Sequence, residues 1–119
     1  MHRYLTIALA AVLVAVAAVR SEAAPANVIG YGLATCSTVA ADFQSASLKQ
    51  TIFSWAGGFF SGANVVLITE RRVFRDLSGV SPEAVMGKIA SFCASNPDRP
   101  IVQALEEMFV GLELKPWKR

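Results

Sequence analysis

The sequence contains a single histidine, His2, two cysteines, and no charged residue between Lys49 and Glu70. The lone histidine sits in a segment expected to be removed. That leaves the rest of the chain without the usual general base near neutral pH, without Ser-His or Cys-His nucleophile pairs, and without imidazole metal ligands. Hydrolytic and zinc chemistry are therefore not expected. Glu106 and Glu107 are adjacent and splay apart on a helix, so they read as a solvated face and not as an acid/base pair. No alternating run long enough for a strand is present, and no internal repeat.

What the chain does have begins with an address. "MHRYL" is a short basic leader, "TIALAAVLVAVAAV" is an apolar run of signal-peptide length, and "SEA" puts small residues where a signal peptidase reads. Residues 1–23 are thus expected to be a signal peptide cleaved after Ala23, with an uncleaved anchor as the alternative, and the mature protein is expected in the periplasm. Beyond Ala23, nine basic and eight acidic residues nearly cancel. This balance gives no electrostatic reason for a nucleic-acid partner. The remaining length suits one small domain.

Cys36 and Cys93, an even pair in a chain sent to an oxidising compartment, read first as a disulfide. A redox pair would more naturally be close in sequence, and a metal dithiolate lacks further ligands.

Periodicity predicts an all-α fold, a small orthogonal bundle of about four helices tied by one disulfide. Residues 24–34, punctuated by Pro25, Gly30 and Gly32, are expected to be an extended arm, residues 35–114 the helical domain, and residues 115–119 a basic tail. A short helix is expected from Cys36 to Phe43 with Thr35 as its cap. A central helix is expected from about Ser47 to Thr69, apolar over more than half its circumference. Ser81, Pro82 and Glu83 mark the start of a third helix that Asn96-Pro97 ends. A fourth is expected from about Pro100 to Leu112, burying Ile101, Leu105, Met108 and Leu112.

The central helix raises the main question, because Gly57, Gly58 and Gly62 each cost about 1 kcal/mol relative to alanine in a helix interior. Twenty uncharged residues containing Gly58-x-x-x-Gly62 could also span a bilayer. Asn64 argues against that reading, as does the disulfide, whose cysteines would fall on opposite sides. The expected compensation is close packing: Gly58 and Gly62 form a strip on which another helix sits, edged by Trp55 and Phe59. A small-ligand groove along the strip is the alternative. Arg71, Arg72 and Arg75, where this helix ends, complement its dipole and read first as a solvated helix end, the alternative being a polar contact surface for a protein. Trp117 among Lys115, Lys118 and Arg119 reads as a tail that folds back or frays, the alternative being contact with an anionic membrane surface. Apart from export, membrane contact is not expected.

"YGLATC", "SWAGGFFSGAN" and "IASFCASNPDRPIVQAL" resemble small exported proteobacterial proteins of the HdeA/HdeB-like group. In outline the chain is also similar to Rap/Tai-type secretion-system immunity proteins. The resemblance implies a disulfide-tied helical scaffold with Cys36 and Cys93 bridged, Trp55, Gly58, Gly62 and Asn64 on the central helix, and Phe92, Asn96 and Pro97 around the second cysteine. It further implies a non-catalytic protein without cofactor or metal, whose partner is an unfolded client under acid or other stress or, alternatively, a secreted toxin. The oligomeric state is left open. Protonation of the eight carboxylates beyond Ala23 would leave nine cations, so acid is expected to loosen the bundle.

Overall fold

A computed structural model of the protein describes residues 27–119. The expected signal peptide, 1–23, and the first residues of the expected arm, 24–26, lie outside the described residues. The described residues form four α-helices, α1 (Cys36–Ala40), α2 (Ala46–Arg71), α3 (Pro82–Cys93) and α4 (Val102–Gly111). They also form two short strands, β1 (Val73–Arg75) and β2 (Leu114–Pro116).

Hydroxyl caps start three of the helices, each accepting from the backbone N–H three residues on: Thr35 from Thr38, Ser45 from Leu48 and Ser81 from Ala84. This satisfies donors that the first helical turn cannot. Pro82 occupies the first turn of α3, where its missing N–H costs nothing. At its other end α2 stops on Arg72, which adopts the left-handed region (φ 58°) and donates its N–H to the Ile68 carbonyl.

The core is built on one row of α2. Leu48, Ile52, Ala56, Phe60 and Asn64, four residues apart, are buried. Facing them are Val85, Met86 and Ile89 of α3, together with Ile101, Ala104 and Leu105 at and after the start of α4. Phe60 stacks on Phe109 of α4, with ring centroids 5.7 Å apart. Full burial of one such side chain contributes about 1.5–3 kcal/mol. Val102 and Ala104 are buried although the expected pattern for α4 omitted them, and Met108 and Leu112 are only half-buried.

The all-α expectation is corrected by a two-stranded antiparallel sheet. Val73 pairs with Pro116, Phe74 with Lys115 and Arg75 with Leu114. Strands of three residues are too short to show an alternating pattern, and their pairing closes a long-range contact that no local signal announces. Lys115, the first residue of the expected basic tail, lies inside β2. The arm is likewise not simply extended, since Tyr31–Leu33 form a turn of 3-10 helix.

The other end of the molecule is held by Cys36 and Cys93, whose sulfurs are bonded. Around them the chain is zipped by backbone hydrogen bonds: Cys36 N–H to the Arg99 carbonyl (2.8 Å), Ser37 N–H to Pro97 (2.9 Å) and Ile101 N–H to Ala34 (2.9 Å). The disulfide closes a loop of 57 residues. Constraining that loop in the unfolded chain accounts for about 4 kcal/mol of stability. A Cys36→Ala/Cys93→Ala variant is accordingly expected to lose stability of that order in urea melts, and the parent to show no reactive thiol in denaturant without reductant.

Candidate functional site

The three glycines of α2 lie on its outer side. A Cβ added at Gly57, Gly58 or Gly62 would meet no atom within 4 Å. The packing expected on Gly58 and Gly62 is thereby corrected: α3, α4 and β1 cover the row from Leu48 to Asn64, and the glycines lie outside that contact. Trp55 and Phe59, expected beside them, do pack. Their rings stack with centroids 5.4 Å apart, and both lie against the core cluster. The close approach that needs glycine is in the arm. The Trp55 indole lies over Gly30 and Gly32, where a Cβ would overlap its ring, and its Nε1–H donates to the Ile29 carbonyl at 3.1 Å. Gly30 also has a positive φ of 86°.

The outer side of α2 is left to solvent. Ser54, Gly58, Ser61, Gly62 and Thr69 are exposed there, as are Val65 (62 %) and Val66 (59 %). By length and composition α2 could cross a membrane, and little of it is buried. With Cys36 and Cys93 bonded, however, the chain would have to cross back through α3. Its 12 residues rise about 18 Å, against a hydrocarbon layer of about 30 Å. Small side chains let a partner backbone approach closely, and hydroxyls supply adaptable hydrogen bonds. These groups offer shape and adhesion, not proton transfer.

Asn64, the polar member of the buried row, has a defined task. Its Oδ1 accepts from the Arg75 N–H at 2.7 Å and its Nδ2 donates to the Arg75 carbonyl at 2.8 Å. The side-chain amide thus acts as a further strand beside β1 and satisfies both of its own polar atoms. Arg75 is drawn inward, its Nη1 donating to the Leu112 carbonyl at 2.8 Å, where α4 ends. Of the expected contact group, Arg71 and Arg72 are exposed and Arg75 is a structural clamp.

The hairpin has its own latch. Lys115 Nζ donates to Asp76 and lies 3.7 Å from Glu113. The Lys115 ammonium, with help from the Ser78 N–H, holds the Asp76 carboxyl well below the ordinary carboxylate range, and Asp76 in turn raises Lys115. Sequence reasoning missed this pair because 39 residues separate its members.

Beside the disulfide, Val39, Ala40, Phe43, Ile89, Ala90 and Ala94 line an apolar cleft of about 280 Å³. No polar side chain lines it. Among the described residues no cluster of three or more His, Cys, Asp or Glu could hold a metal ion. Comparison with known family models, characterised proteins and solved structures finds no match to this chain, and so nothing in it links the chain to the HdeA/HdeB or immunity groups.

Gly58→Ala and Gly62→Ala should each raise stability in urea melts, by up to about 1 kcal/mol, because they gain helix propensity without a clash. Gly32→Ala should lower it by about 1–3 kcal/mol through overpacking against Trp55. Asp76→Asn addresses the latch. A carboxyl whose folded pKa is depressed contributes stability above its unfolded value, near 4, and loses it as pH falls through the folded one. The variant should therefore be less stable than the parent at neutral pH, with the gap closing as a series of melts is carried below about pH 4.

Proposed function

We propose that this protein is a non-catalytic periplasmic binder of other proteins, acting as an HdeA/HdeB-like holder of partly unfolded clients under acid or related stress. The observation that carries this reading is the outer side of α2, which is uncharged from Ser54 to Thr69 and faces solvent with Val65 and Val66 largely uncovered. An unfolded chain exposes apolar groups and backbone together, and a surface of small, hydroxylated and methyl-bearing side chains can meet both. Loss of the other carboxylate charges in acid would loosen helix packing, while the disulfide limits expansion and Asp76, with its depressed pKa, keeps the hairpin latched longer.

A second reading is immunity, in which the protein occludes a secreted toxin. The preformed character of the α2 surface favours it, because no loosening is needed to expose that side.

The test follows the aggregation of an acid-denatured client, and the binding of a dye for apolar surface, from neutral pH to about pH 2, below the ordinary carboxylate range. The parent should protect the client as its own apolar surface opens. A Gly58→Lys/Val65→Lys variant, which places charge on the outer side at every pH of the series without touching the core, should lose most of that protection. A parent that stays compact and dye-silent in acid, or loosens without protecting the client, would leave immunity as the better reading.

A further inference from the structure

The hairpin brings together two basic runs that lie far apart in the chain. Of the nine basic residues beyond Ala23, six are Arg71, Arg72, Arg75, Lys115, Lys118 and Arg119. The antiparallel pairing of β1 with β2, extended by the Trp117 N–H donating to the Arg72 carbonyl at 2.8 Å, places them at one end of the molecule. Arg75 and Lys115 are engaged internally. Arg71, Arg72, Lys118 and Arg119 are exposed and have no carboxylate partner among the described residues. The carboxylates of this end are Glu70, Asp76 and Glu113, of which the last two lie within reach of Lys115.

Apolar surface is uncovered at the same end. Trp117 is 40 % exposed, its ring edge-on to Phe74 at 6.0 Å, and Leu114 of β2 and Val110 in the last turn of α4 are exposed as well. The remainder of the described chain carries Asp42, Glu83, Asp98, Glu106 and Glu107 against Lys49, Lys88 and Arg99, and so has the opposite sign.

We propose that the hairpin end is a peripheral docking surface for anionic phospholipid bilayers. Clustered cations attract anionic headgroups, while an indole with an apolar body and a polar N–H settles at headgroup level. Neither signal alone holds a protein on a membrane, and their coincidence is what stable attachment needs. The acidic remainder is repelled by the same surface, which orients the molecule with its hairpin toward the lipid. An acidic protein would satisfy the cations but would not call for an exposed indole between Arg72 and Lys118. This surface begins at Arg71, where the uncharged α2 side assigned to clients ends at Thr69.

The experiment mixes the full exported chain with vesicles of phosphatidylcholine alone or of phosphatidylcholine with phosphatidylglycerol, and measures co-sedimentation and tryptophan emission. The parent should bind the anionic vesicles, show a blue-shifted emission that is absent in Trp117→Phe, and be released by salt. In the variant Arg71→Gln, Arg72→Asn, Lys118→Gln, Arg119→Gln, affinity should fall about fivefold per cation removed. Asn at position 72 tolerates the left-handed backbone there. Lys49→Gln with Arg99→Gln, away from the hairpin, should leave binding unchanged. Equal binding to both vesicle types, absence of binding at low salt, or parental affinity in a folded cation variant would each overturn the proposal. So would a preference for polyglutamate over vesicles, which would assign the surface to an acidic protein. The salt and lipid dependence of the parent decides the matter even if the variant fails to fold.

Discussion

One row of side chains on α2, from Leu48 to Asn64, holds this domain together, and the short elements packed on it, α3, α4 and β1, are enough to cover only that side. A chain of this size buries a modest fraction of its surface. A helix of 26 residues therefore cannot be enclosed all round, and its outer side must remain compatible with water. The composition meets this constraint with Ser54, Gly58, Ser61, Gly62 and Thr69, which carry little apolar area. Glycine lowers helix propensity at these positions, a cost of about 1 kcal/mol each that the core contacts on the other side outweigh.

The two ends of the row are secured by different physics. Near the start, a covalent bond and a short run of backbone hydrogen bonds tie Ala34–Ser37 to Cys93 and the segment from Pro97 to Ile101. At the far end the closure is polar. Asn64 pairs with the backbone of Arg75, Arg75 reaches the end of α4, and Lys115 holds Asp76. Each of these groups is satisfied by another from a distant part of the sequence, so the end closes as a unit. Its solvent-facing ion pair is sensitive to pH and salt, whereas the disulfide is indifferent to both.

This division leaves two separate surfaces. The outer side of α2 is uncharged and suits adhesion to a protein chain. The hairpin end combines cations with Trp117.

How much of this was legible follows from where each signal resides. Helix starts at Thr35 and Ser81, the stop at Asn96-Pro97, the apolar periodicity of α2 and α3, and the pairing of the two cysteines depend on neighbours within a few residues or on composition, and the sequence was sufficient for them. The role of the glycines was not legible, because Gly58 and Gly62 differ from Gly30 and Gly32 only in what the rest of the chain brings against them. Nor was the task of Arg75, which looks like one more cation after α2 until Asn64 and Leu112 engage it. The hairpin was hidden because each strand has only three residues and its stability lies in contacts across forty. Local chemistry determined the helices and their limits. Which glycines meet a ring, which arginine is a clamp and which two basic runs share a surface were decided only when distant segments came into contact, because those properties belong to pairs of residues and not to either member alone.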